Sequence, residues 1–284
     1  MVTRIGAALV LVAAGAWLSR LRRLGLERSL LIAAVRAIVQ LTAVALVVDT
    51  VFAHLSLATG FVLVMVGAAA WTAGGRWYVV PGARLRAAAA IATATGGVLA
   101  VVFGTGAFQR TPRFLIPVAG IVAGGAMVAA GIAGRRVSEE ISDHLSVIEA
   151  RLSLGASASE ALAPHRRRAI TTALIPALDQ TRNVGLVTLP GAFVGMLLGG
   201  STPLQAAEVQ LVVLLSLLGG EVIAATVATE LVAATHVMPG DRVIVRPVRS
   251  KPSARWPLQR RRAASPDRDG GLSGHEGPTE DLQC

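Results

Sequence analysis

The sequence predicts an all-α polytopic membrane protein with about seven transmembrane helices and a long cytoplasmic coupling-helix loop between helices five and six. Three observations predict it. The 284 residues are 53% hydrophobic and only 15% charged, with a mean hydropathy of +0.61, whereas soluble domains carry about 25% charged residues. The apolar residues are gathered into runs long enough to cross about 30 Å of hydrocarbon. Arginines collect between those runs on alternating sides, the pattern of cytoplasmic loops. Strands are excluded, because the runs are too long and lack period-two alternation.

The spans fall at residues 5–19, 29–52, 57–74, 87–108, 114–134, 184–200 and 209–234. The first, in "MVTRIGAALVLVAAGAW", has the basic start and short apolar stretch of a signal peptide. Cleavage there would leave Arg20, Arg22, Arg23 and Arg28 outside, so it is read as a span. Spans two to five are filled with Ala, Gly, Val and Leu, as in "AAAAIATATGGVLA" and "IPVAGIVAGGAM". Small residues let helix backbones approach closely in lipid, where burial against acyl chains gives no net drive. After spans one, three and five come Arg20 to Arg28, then Arg76, Arg84 and Arg86, then Arg135, Arg136, Arg151, Arg166, Arg167, Arg168 and Arg182. The other sides hold Arg4, Arg110 and Arg113. The N-terminus is therefore expected outside and the C-terminus in the cytoplasm.

Residues 1–246 are read as the membrane domain, with a cytoplasmic coupling region at about 135–183. Residues 247–284, rich in Pro, Ser and Arg and then in Gly, Asp and Glu, are read as a disordered cytoplasmic tail. The net charge of +10 belongs to the loops and this tail. Basic segments beside a membrane meet anionic lipid, and no basic helix is interleaved with aromatics, so nucleic acid is excluded as a partner.

Enzyme chemistry is excluded on similar grounds. The single lysine, Lys251, lies in the tail, so there is no GxxxxGK[ST] loop and no route to ATP hydrolysis in this chain. Cys284 stands alone at the terminus. His54, His144, His165, His236 and His275 begin no HExxH motif and are not paired at ligand spacing, so each is read as a loop or boundary residue. No catalytic residue and no metal ligand set is assigned.

The connection after span five carries the most information. Val137, Ile141, Leu145, Ile148 and Leu152 repeat at spacings of three and four, a helix face that needs a partner. Gly155 breaks the pattern. Ser157 can cap a new helix with Glu160 as its capping-box partner, and Pro164 is expected to end it. A short capped helix on a cytoplasmic loop is a docking element.

The stretch "EARLSLGASASEALAP" resembles the coupling-helix region of ABC-transporter permeases, with Glu149, Ala150 and Gly155 at the spacing of their EAA-and-Gly loop. That resemblance marks Glu149, Ala150, Gly155, Ala156, Ser157 and Glu160 as ATPase-coupling residues. "RAIVQL", "AAWTAGGR", "IPVAGIVAGGAM" and "ALIPALDQTRNVGLVTLPGAFVG" resemble, in order, the FetB-like permease family linked to iron export and metal resistance. The likeness covers residues 30 to 235. It implies a permease subunit of a bacterial inner (plasma) membrane, paired as a homodimer and driven by a separate ABC subunit that binds ATP and Mg. The chain itself takes no cofactor. The implied cargo is iron or another metal ion. Plant members of the family are associated with aluminium tolerance and UDP-glucose movement, so a sugar nucleotide, whose phosphates suit Arg36 or Arg182, is a second cargo class.

Two other classes share the topology. A seven-helix receptor has no use for the capped helix, and no lysine stands in span seven to hold retinal. An ion-coupled secondary transporter needs inverted repeats, and no convincing internal repeat is present.

Polar residues inside or beside the spans complete the site. In "LDQTRNVGLVTLPG" the chain can run from Ala169 as one helix toward Pro190, which places Asp179 to Asn183 at the cytoplasmic boundary. Asp179 can there satisfy Arg182 or Asn183 at i+3 and i+4. Two readings stay open: an interfacial cluster that ends the span, or part of a gate ahead of a Pro190–Gly191 hinge. Arg36 and Gln40 share one face of span two; Arg36 either snorkels to the inner interface or works within the membrane. Glu221, well inside span seven, is expected to pair with Arg36 or to face a wet cavity.

Overall fold

In lipid every backbone N–H and C=O must be satisfied within the chain, and helices do this segment by segment. The structure, a computed structural model, is built mainly of such helices. It describes residues 2–244 apart from 79, 239 and 241, so the expected tail from residue 247 lies outside the described residues. The helices are α1 Val2–Leu21, α2 Glu27–Ala53, α3 Leu55–Gly74, α4 Ala83–Gly104, α5 Pro112–Asp143, α6 Leu145–Ser153, α7 Ala158–Asn183, α8 Gly191–Leu198 and α9 Pro203–Ala233. A 3-10 turn at Ala234–His236 leads into two short antiparallel strands, β1 Val237–Met238 and β2 Arg242–Val243.

The protein is a polytopic membrane protein. Among the described residues five helices are long and apolar enough to cross a bilayer: α2, α3, α4, α5 and α9 with its terminal turn. A shorter apolar helix, Gly6–Leu21, precedes them.

Helix α5 is the hub, packed against α3, α4, α7 and α9. Its contact face is made of Ala119, Ala123, Ala126, Ala130 and Ala133, all buried. Such small side chains bring neighbouring backbones close enough for dispersion contacts along their whole length. Larger side chains lock the part of the core nearest α6, where Ile91, Val137, Ile141, Ile148 and Leu162 belong to one buried cluster. Trp77 is buried against α5 and donates its indole N–H to the Gly131 carbonyl at 3.3 Å. By contrast α2 buries only Val51 and presents an apolar outer surface.

Three sequence-based boundaries move. The fifth span and the start of the amphipathic stretch after it, with Val137 and Ile141, are one 32-residue helix, α5, about 48 Å long at 1.5 Å per residue. It therefore projects well beyond about 30 Å of hydrocarbon, and the break comes at His144. Pro164 does not end the next helix either. Each of Pro164 and Pro176 lacks an N–H to donate, but α7 continues through both because Ala161, Leu162, His165, Ala169, Ala173 and Ala177 form a continuous buried stripe.

The third change is the sixth span, residues 184–200, which is not one helix. Helix α7 stops at Asn183, whose carbonyl accepts N–H bonds from Leu186, Val187 and Thr188. Gly185 adopts a left-handed φ of 83° and its N–H donates to Thr188 at 2.8 Å. Pro190 then serves as the N-cap of α8. The helix expected to run from Ala169 toward Pro190 is thus halted by its own C-terminal turn.

Candidate functional site

The connection between α5 and α7 folds as an elbow. Helix α6 leaves the end of α5 at His144 and buries Ile148 in the main core. With Leu152 packed on the same core, it turns Glu149 and Ala150 outward, where both are exposed. Gly155 reverses the chain with a φ of +90°, a conformation that other side chains rarely adopt. Leu154, beside it, is 88% exposed. Ser157 then caps α7: its hydroxyl accepts from the Glu160 N–H at 3.3 Å, and the Glu160 carboxylate accepts from the Ser157 N–H at 2.9 Å. The Ser157 N–H and the Ser157 hydroxyl, at 2.8 Å, both donate to that carboxylate and hold the Glu160 carboxyl below its ordinary pKa.

The sign of the cap's pH dependence follows. A lowered folded-state pKa gives a contribution that is present above the unfolded value and lost as pH falls through the folded one. Ser157→Ala is expected to destabilise the first turn of α7 by about 1 kcal/mol. Faster amide exchange at residues 158–161 is the expected readout, and unchanged protection would contradict the capping role.

Two open recesses flank the elbow. One, about 650 Å³, is lined by Glu149, Ser153, Ala156, Arg242 and Ile244. The other, about 560 Å³, is lined by Ser159, Leu162, Arg166, Glu230 and Met238. Arg166 ties the elbow to the membrane bundle: it pairs with Glu230 of α9 and donates to the Ser159 carbonyl at 2.9 Å. The elbow is thus joined to α5 through α6 and to α9 through Arg166.

At the far end of α7 the polar run is mostly exposed, with Thr181 half-buried. Thr181 donates to the Ala177 carbonyl at 2.8 Å, and the Asn183 amide donates to the Asp179 carbonyl at 2.8 Å. Asn183 thus meets the backbone of Asp179 rather than its carboxylate, and no Asp179–Arg182 ion pair occurs among the described residues. Beyond it Val184, Gly185, Leu189, Pro190 and Phe193 close over α9 around a hollow of about 310 Å³. Gln210 lines that hollow with a buried side-chain oxygen that has no hydrogen-bond partner among the described residues. Gly191 begins α8 on its rim.

The structure does not bring Glu221 to Arg36. Arg36 and Gln40 are exposed on α2. Glu221 is 8% exposed on α9 and lies in a notch of α5, where a Cβ on Gly125 would meet its Oε1 at 2.7 Å and would also meet Leu217. Gly125 leaves that room, and both neighbours meet it with the ends of flexible side chains.

Sequence spacing misses one constellation. Glu140 near the end of α5, His144 at the joint and His165 on α7 converge. Glu140 Oε2 lies 3.4 Å from His165 Nδ1 and 3.6 Å from His144 Nδ1, and Arg136 approaches Oε1 at 3.5 Å. Burial lowers the His165 pKa, opposed by its hydrogen bond to Glu140. The legible signal is Glu140 and His144 at i and i+4 on one helical face. The third member arrives only because α7 continues past Pro164.

Comparison with known proteins agrees with this architecture. Residues 2–237 match the family described as "Uncharacterised protein family (UPF0014)". The chain is 37% identical over 227 residues to "UPF0014 membrane protein STAR2" of Oryza sativa subsp. japonica, covering 79% of this chain and 80% of that one. It is 32% identical over 229 residues to "Protein ALUMINUM SENSITIVE 3" of Arabidopsis thaliana, covering 79% and 83%. It is 36% identical over 213 residues to "Probable iron export permease protein FetB" of Escherichia coli (strain K12), covering 74% and 82%. No solved structure matches.

Proposed function

The chain belongs to the UPF0014 family, and from that premise we propose that it is the membrane-spanning permease subunit of an ABC transporter that exports a metal ion such as iron. The observation that carries the reading is the elbow. A buried α6 anchor, a left-handed Gly155 and a capped α7 present Glu149, Ala150, Leu154 and Ala156 to a partner. Recesses on both sides give that partner something to grip. A separate subunit binds and hydrolyses ATP with Mg, two copies of each chain make the transporter, and the apolar outer faces of α1 and α2 meet lipid and the second copy. The N-terminus lies outside and the elbow in the cytoplasm of a bacterial plasma membrane, with α7 and α8 together making the sixth crossing. Residues 1–246 form the membrane domain and 247–284 its cytoplasmic tail.

A coupling motion delivered to α7 arrives at Asp179 to Asn183 and at the hollow around Gln210. We assign this end of α7, with Pro190, Gly191 and Glu221, to the gate. The export direction and the metal follow the name of the Escherichia coli relative.

The test is cargo movement in liposomes containing this chain and its ATP-binding partner, with iron, other divalent metals and UDP-glucose compared. Export of a metal, and none of UDP-glucose, supports the reading; movement of UDP-glucose alone replaces the cargo, and movement of neither overturns it. Asp179→Ala and Arg182→Ala are expected to lower transport at least about tenfold, a change of about 1.4 kcal/mol, while ATP hydrolysis persists. Normal transport by both variants would remove Asp179 and Arg182 from the gate.

A further inference from the structure

We infer that Glu140, His144 and His165 form a binding site for a divalent transition-metal ion, an open His₂Glu site on the cytoplasmic shoulder that ties α5 to α7 beside the coupling elbow. One ligand atom from each residue can be chosen so that all three lie within 4.8 Å of one another. Two donors held at about 2.1 Å from a tetrahedral ion are about 3.4 Å apart. The two separations from Glu140 Oε2, 3.4 Å to His165 Nδ1 and 3.6 Å to His144 Nδ1, are close to that spacing.

The surroundings divide the Glu140 carboxylate between two tasks. Oε1 faces Arg136 at 3.5 Å, an outer partner that fixes the carboxylate plane. Oε2 faces both imidazoles, with Arg168 more distant at 3.9 Å. The bond between His144 Nδ1 and the Glu140 carbonyl, 3.0 Å, is given up on binding. Glu140 and His165 are buried while His144 is half-buried, so two ligands are held in place and the third guards an entry from solvent. Two imidazoles and one carboxylate suit Fe²⁺, Co²⁺ or Zn²⁺, whereas Mg²⁺ and Ca²⁺ prefer all-oxygen shells.

The site has a mechanical consequence. Its ligands come from the end of α5, from the joint at His144 and from α7, the three segments that frame α6. An ion there fixes the elbow through which a partner's motion would pass, so occupancy reports cytosolic metal to the coupling segment. This inference does not depend on what the protein transports.

Metal titration of the full chain, stripped with chelator and held in nanodiscs without any partner, tests it. Co²⁺ is expected to bind at one equivalent per chain, with the visible absorption of a four- or five-coordinate nitrogen–oxygen site, and to be displaced by Zn²⁺. His144→Ala is expected to weaken binding by at least about 100-fold, because outer-shell changes alone cost 10–100-fold. Should that variant not fold, the isosteric Glu140→Gln carries the same expectation. Exchange at residues 145–153 should slow on metal binding in the parent chain only. Absence of Co²⁺ binding, or equal binding by a folded His144→Ala or Glu140→Gln chain, overturns the site. A chain that binds Co²⁺ here and moves no metal overturns the transport proposal and leaves this one standing.

Discussion

Leu154→Asp is expected to abolish productive engagement of the proposed ATP-binding partner while leaving the chain folded. Leu154 is 88% exposed at the tip of the elbow, and its N–H bonds to the Ala150 carbonyl through backbone alone, so its side chain contributes little to packing among the described residues. A large apolar residue held at the tip of a rigid turn, with a recess on either side, has the character of an interface anchor. Truncated or charged anchors cost about 2 kcal/mol or more, roughly 30-fold in affinity. The measurement is partner affinity by titration of the reconstituted permease, beside its thermal unfolding midpoint. A 30-fold loss at unchanged midpoint is the expected pair of results; unchanged affinity would move the docking surface away from the elbow.

Gly74→Ala is expected to have a large effect on folding. A Cβ at Gly74 would lie 2.7 Å from the Arg84 Cα, 2.9 Å from its N and 3.0 Å from the Ala83 carbonyl carbon. All three are backbone atoms, so no side-chain rotation relieves the contact, and the end of α3 must part from the start of α4. The same motion pulls Arg84 off Trp71, over whose ring its guanidinium sits at 3.3 Å. Overpacking of this kind costs about 1–3 kcal/mol or more, against a total stability of only about 5–15 kcal/mol. Gly60→Ala, on the same helix with nothing within 4 Å of the added methyl, is the control and should be neutral. Equal unfolding midpoints for the two variants would contradict the close approach.

What the sequence made legible follows from which interactions are local. Apolar runs reveal membrane helices because lipid leaves the backbone no alternative, and the Ser157–Glu160 box is readable because its partners are three residues apart. Pro164 misleads for the opposite reason: a proline's cost is local, while the stripe from Ala161 to Ala177 that outweighs it is satisfied by α5 and α9, distant in the chain. The break at Asn183 was hidden among apolar residues whose composition alone suits a span. Glu140, His144 and His165 escaped for the same reason as Pro164, since the third member joins through tertiary packing. The Glu221 notch was equally invisible, because only packing shows that Gly125 stands opposite it.

The central claim is that the elbow couples this membrane chain to an ATP-driven partner. ATP hydrolysis by that partner, measured in liposomes with the parent chain, with Leu154→Asp and with no permease, tests it most directly. The account predicts hydrolysis stimulated by the parent chain and by a transported metal, and falling with Leu154→Asp to the level of the partner alone. Hydrolysis indifferent to the presence of the permease, or equal for the parent and Leu154→Asp chains, would contradict it.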